Sequence, residues 1–114
     1  MKNEIILIPT DTFSKEYKRL LKKYPSLKGD LLELACAIRA NPLQGVDLGH
    51  NIRKIRLAIA SKGKGKSGGA RVVTFNLLAE IDNQRVVLVT IFDKGERESM
   101  SVESLRTIIN NSGF

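Results

Sequence analysis

Residues 52–92 read IRKIRLAIASKGKGKSGGARVVTFNLLAEIDNQRVVLVTIF, and three strand-like runs within them decide the fold. Ile55, Leu57 and Ile59 alternate with Lys54, Arg56 and Ala58, a period of two that leaves one face apolar and sets Lys54 and Arg56 side by side on the other. Ser61 to Gly69 has four glycines in nine residues, too few side chains to pack as regular structure. Ala70 to Leu78 resumes a strand pattern, and Asp82-Asn83 reads as a turn into the next strand. Arg85 to Phe92 is nearly all Val, Leu, Ile and Thr, the composition of a strand covered on both faces and therefore interior to its sheet.

Upstream, Glu4 to Pro9 is a short isoleucine-rich run closed by proline, which suits an edge strand. Phe13, Tyr17, Leu20, Leu21 and Tyr24 recur at helical spacing, so Thr12 to Tyr24 reads as an amphipathic helix whose other face carries Lys15, Lys18, Arg19, Lys22 and Lys23. Pro25 breaks it. Leu27, Leu31, Leu34, Ala35 and Ile38 repeat the spacing, with Ser26 as N-cap and Asn41-Pro42 as the stop. Downstream, Val102, Leu105, Ile108 and Ile109 mark a closing helix near Ser101 to Asn111. Two adjacent helices, a run of strands and a last helix predict an α+β fold, with the helices on one side of a mainly antiparallel sheet rather than alternating with parallel strands.

The 114 residues fit one domain, 1–114, and 42% hydrophobic composition is enough for a modest core. The single Cys36 excludes an internal disulfide and is expected to pack within the second helix beside Ala35, Ala37 and Ile38. The N-terminus lacks the pattern of a signal peptide, and no apolar run reaches the roughly 18 residues of a membrane span. The expectation is a soluble protein of a reducing compartment, the cytoplasm. Lys and Arg total 19 against 12 Asp and Glu, a net charge of +7. His50 to Arg71 holds Arg53, Lys54, Arg56, Lys62, Lys64, Lys66 and Arg71 with no acid; without those seven the rest of the chain balances at 12 against 12. A charge excess confined to one segment is the footprint of a site that meets a polyanion, nucleic acid first, although a solvated basic loop has the same composition.

Gly63 to Gly68 spells G-x-G-x-x-G, and Ala60 to Ser67 falls one small residue short of a phosphate-binding loop. Both motifs depend on opening a helix, whose N-terminal amides and dipole hold the phosphates. This loop opens a strand, so a nucleotide site is not expected, and its lysines fit a phosphodiester backbone better. The lone His50 sits in a turn, no Cys/His cluster suits zinc, and the carboxylates are scattered. Any catalysis must run on lysine and arginine.

Lys54-Ile55-Arg56-Leu57, the loop from Lys62 running into Gly68-Gly69-Ala70-Arg71-Val72-Val73, the run ending Phe92-Asp93-Lys94-Gly95-Glu96, and Asn41-Pro42 resemble the RelE/HigB superfamily of toxins from type II toxin-antitoxin modules. The likeness covers essentially the whole chain in element order and is most specific between Lys54 and Arg97. It implies a compact α+β domain that cleaves messenger RNA without metal or cofactor, usually on the ribosome, and that a cognate antitoxin restrains. By position, Lys54 and Arg56 match the family's paired basic residues and Arg71 the arginine opening the next strand. Gly95 stands where one branch has an arginine, with Lys94 and Arg97 as nearby substitutes, and Ser101 stands where that branch has a tyrosine.

The chemistry so implied is attack of an RNA 2′-hydroxyl on the adjacent phosphorus. It needs a base, charge stabilisation for the phosphorane and an acid for the 5′-oxygen. Lys54, crowded by neighbouring cations, is the candidate base, Arg56 and Arg71 the candidate stabilisers and Lys94 or Arg97 the candidate acid, while the basic segment's Arg53, Lys62, Lys64 and Lys66 are expected to bind RNA. Two other classes share the charge map: a basic module that binds RNA or ribosome without chemistry, and a groove that receives an acidic peptide.

Overall fold

The computed structural model describes residues 4–78 and 83–114. Five strands, β1 (Glu4–Pro9), β2 (Val46–Asp47), β3 (Ile52–Leu57), β4 (Ala70–Leu78) and β5 (Asn83–Asp93), form one sheet in the order β1-β5-β4-β3-β2. The helices are α1 (Asp11–Lys23), α2 (Leu27–Ala40) and α3 (Val102–Asn111). The fold is α+β with a mostly antiparallel sheet: only β1 runs parallel to its neighbour, β5, with Glu4 opposite Asn83. Asp82 of the expected turn lies outside the described residues, and Asn83 begins β5.

Local chemistry explains the boundaries. Pro9 ends β1, and the Thr10 hydroxyl accepts from Phe13 N (3.0 Å) as the N-cap of α1 while donating to Val89 O (2.7 Å). Val89 is the extra residue of a β-bulge, because the β4–β5 register steps from Val73 opposite Thr90 to Thr74 opposite Leu88. The cap thereby fastens α1 to the irregular point of β5. Ser101 caps α3 by accepting from Ser104 N (3.1 Å). Ser26 does stand at the N-cap of α2, yet its hydroxyl makes no capping bond within the helix and instead reaches Asp30 and Ser61.

The core is split by the sheet. Phe13, Leu20 and Tyr24 of α1 and its end, and Leu27, Leu34 and Ile38 of α2, pack on Ile55, Leu57, Val72, Val86 and Ile91. Leu105 and Ile109 of α3 pack on Ile52, Val73, Val87, Val89 and Phe92, the opposite face. The expectation that all helices share one side is therefore corrected. β5 has two apolar faces because each is roofed by a different layer, and a run so apolar was already the sign of a second layer. Leu20, Leu27, Ile52, Ile91 and Leu105 are fully buried, each worth roughly 1.5–3 kcal/mol of apolar transfer, so both layers contribute to stability.

Two smaller differences concern the helix faces and the sheet edge. Cys36 is exposed rather than packed, since Leu34 and Ile38 take the buried stripe of α2 and the helix's rotation turns position 36 outward. The two-residue β2 was not expected from sequence. It pairs Val46 with Lys54 and Asp47 with Arg53, and has no apolar alternation to betray it.

Candidate functional site

Side-chain alternation places the basic residues. Ile55 and Leu57 point to the α1/α2 layer and Ile52 to the α3 layer, so Lys54 and Arg56 share the α3 face of β3. On β4, Arg71 lies between Ala70 and Val72 of the first layer and so joins that face, directly opposite Arg56 in the antiparallel register. Phe92 pairs with Arg71, and Lys94, whose N–H bonds to Gly69 O (3.0 Å), follows beyond it. By register and alternation Lys54, Arg56, Arg71 and Lys94 share the α3 face of the sheet, and of these Arg56 and Arg71 stand directly opposite one another.

These four cations are not equivalent. Arg71 is 6% exposed, and its guanidinium donates to Lys66 O (3.0 Å), Ser67 O (3.1 Å) and Ala70 O (3.1 Å). Burial, and secondarily the charge of Arg56, lower its pKa from the ordinary arginine value. Its first task is to hold the carbonyls of the loop. Arg56 is exposed and Lys54 half-buried, and among the described residues neither makes an ion pair. Lys94 Nζ donates to Glu98 O (3.2 Å) and lies 3.6 Å from Glu98 Oε1. Arg97 is exposed on the turn after β5, its N–H bonded to Asp93 O (2.9 Å).

Of the four residues expected to bind RNA, two stand apart. Arg53 falls on the α1/α2 side of β3 by alternation and lies 3.7 Å from Asp47 Oδ2. Lys62, expected as a free lysine on a glycine tether, is 12% exposed and donates to Asp93 Oδ1 at 2.5 Å. Lys64 and Lys66 are exposed without an ion pair among the described residues. A depression of about 410 Å³ between α2 and the end of β3 is lined by Asp30, Glu33, Gln44, Arg56 and Lys66, so carboxylates border one side of the basic patch.

The structure adds a buried centre that sequence reasoning missed. Asp93 is 1% exposed and accepts from Tyr24 Oη (2.6 Å), Lys62 Nζ and Gly95 N (2.9 Å), with Lys23 Nζ 3.8 Å away. Burial alone would push its carboxyl up, but the donors reverse this and hold it at about 2. The available signal was an aspartate ending a fully apolar strand, where a charge survives only if paired. Gly95 also gains a reason: a Cβ there would come 3.3 Å from Lys62 Nζ and 3.4 Å from Asp93 Oδ1, so an arginine would crowd the pair.

The loop that carries Lys64 and Lys66 opens with a single 3-10 turn, Ala60–Lys62, and continues through Gly63 and Gly65 in left-handed conformations (φ 73° and 63°). It then passes so close to β3 that a Cβ on Gly69 would collide with Leu57 O. Gly69→Ala is expected to destabilise the fold by about 1–3 kcal/mol, read as a lower midpoint in urea at unchanged slope. An unchanged midpoint would mean that the loop stands off the strand.

The remaining sequence candidates are peripheral. His50 is exposed in the β2–β3 turn at φ 55°, and about 13 Å of strand separates Ile52 from Arg56. Tyr17 is stacked on Phe13 with ring centroids 6.2 Å apart, and Ser101 is spent on its cap. No group of three or more His, Cys, Asp or Glu suited to a metal gathers among the described residues, and no described helix is long and apolar enough to cross a membrane. No protein-family model matches the chain, and no curated protein matches it in sequence.

Proposed function

We propose that the protein is a RelE/HigB-like toxin, a metal-independent endoribonuclease acting on messenger RNA in the cytoplasm, on the ribosome, and restrained by a cognate antitoxin. The observation that carries the reading is the cross-strand Arg56–Arg71 pair, with Arg56 exposed and Lys54 on the same face, flanked by a loop presenting Lys64 and Lys66. Two like charges directly opposite one another on a sheet are unfavourable, and an anion bound beside them relieves the repulsion.

The reaction proposed is in-line transesterification. Lys54 takes the proton of the 2′-hydroxyl, whose oxygen bonds to the adjacent phosphorus. Arg56, backed by the charge of the buried Arg71, stabilises the phosphorane as the bond to the 5′-oxygen breaks. Lys94 or Arg97 returns a proton to that oxygen, leaving a 2′,3′-cyclic phosphate and a 5′-hydroxyl. A second reading, RNA or ribosome binding without cleavage, is favoured by Gly95 and by the capping role of Ser101, which leave the acid to flexible side chains.

Expression of the protein alone in bacteria is expected to arrest growth with loss of intact transcripts, and purified protein with translating ribosomes is expected to yield cyclic-phosphate ends in the presence of a chelator. Arrest with transcripts intact favours the binding module. Absence of both arrest and RNA association removes the nucleic-acid reading.

A further inference from the structure

The glycine-lysine segment is composed like a flexible tether, but it is tied at its start, at Lys62 and at its end. Ala60 N donates to Asp30 Oδ2 (3.1 Å) and Ser61 N to Ser26 Oγ (2.8 Å), fixing its start to α2. Lys62 is bound by Asp93, and Arg71 and Lys94 hold the carbonyls of Lys66, Ser67 and Gly69 at its end. Between these ties Lys64 and Lys66 carry the cations that make no ion pair among the described residues. Glycine gives up more backbone entropy than any other residue when ordered, so a glycine-rich loop stays fixed only under such restraint.

The middle tie differs in kind from the others. Lys62 sits two residues before Lys64 and spans from the loop to the layer of α1, where Tyr24 donates to the same carboxylate and packs its ring 5.7 Å from Lys62 Nζ. A buried ion pair is retained at a desolvation cost and is best attested as a device that selects one arrangement over others.

We propose that Asp93, Lys62 and Tyr24 are positioning residues, a latch that holds the loop in the one conformation in which Lys64 and Lys66 meet phosphodiester oxygens beside Arg56. The inference rests on the nucleic-acid reading above and adds to it that the loop is preorganised. None of the three touches the RNA. Preorganisation matters because ordering a long side chain on binding lowers affinity by a factor of about 3–10.

The test combines amide order parameters of Gly63, Gly65 and Gly68 with binding of a short oligouridylate across a salt series, for wild type, Lys62→Met and Tyr24→Phe. The glycine amides are expected to be rigid in wild type, near about 0.85, and to fall toward about 0.6 or lower in Lys62→Met. Affinity should drop about 3–10-fold with the log-log salt slope unchanged, since Lys64 and Lys66 still reach phosphate but must be ordered to do so. Tyr24→Phe, which keeps every positive charge and the ring, should move both readouts the same way by less. It carries the test should Lys62→Met fail to fold. A slope lowered by about 0.7 in Lys62→Met with the loop still rigid would overturn the latch, because Lys62 would then contact phosphate itself. Unchanged loop order in both variants overturns it whether or not RNA binds, as does a loosened loop with unaltered affinity. Wild type that ignores oligouridylate while the variants loosen the loop refutes the nucleic-acid reading, and the proposed use of the latch with it.

Discussion

Arg56→Ala is expected to lower RNA cleavage by about 10²–10³-fold, the loss seen when one preorganised donor to a developing oxyanion is removed. Because Arg56 is exposed and makes no ion pair among the described residues, its loss should change unfolding free energy by no more than about 0.5 kcal/mol. Lys54→Ala should likewise abolish cleavage while leaving oligoribonucleotide binding largely in place. Arg71→Ala should fail differently: it frees the Lys66 and Ser67 carbonyls, so both binding and loop order suffer, and lysine, a point donor, does not restore three bonds. Single-turnover cleavage beside thermal melts separates these cases. Full cleavage by Arg56→Ala would remove it from the chemistry.

The second large effect is on stability. Asp93→Ala leaves the Lys62 ammonium buried without a carboxylate and the Tyr24 hydroxyl without its acceptor, and should cost about 3–5 kcal/mol. That is a large share of the roughly 5–15 kcal/mol that holds a domain of this size together. The pH dependence has a definite sign. The folded carboxyl titrates at about 2, below its ordinary 3.8, so its stabilisation is complete above the ordinary value, shrinks as pH falls below it, and is lost as pH passes down through about 2. Melting temperatures of wild type between about pH 6 and about pH 2 should fall more steeply than those of Asp93→Asn. Parallel curves would show that the carboxylate contributes nothing beyond its shape.

The sequence made most of the scaffold legible because periodicity is a local property. Phe13, Leu20 and Leu27 announce helices that pack, Ala70 to Leu78 matches β4 at both ends, and Pro9 and Asn41 stop their elements where expected. The side on which α3 lies was not legible, because Leu105 and Ile109 carry no mark of which sheet face they cover. The basic cluster was visible as charge, but charge does not distinguish the exposed Lys64 from Lys62, two residues away and paired with a carboxylate 31 positions later. Nor does it distinguish Arg56, open to solvent, from Arg71, folded back on its own loop. Partners distant in the chain decide these roles, and only the fold supplies them.

The parallel pairing of β1 with β5 has a consequence in time. At a synthesis rate of about 5–20 residues per second, Glu4 waits roughly 4–16 s before Asn83, opposite it in the sheet, has been made. Loop closure over that span must accompany the β1–β5 pairing, which delays completion relative to the local structure of α1 and α2. Lys62 likewise meets Asp93 only after β5 has been made, since β5 ends at that residue. The nascent chain can therefore tie the loop to α2 and Arg71 early, while Lys62 stays without its carboxylate until the last residue of β5 has been made.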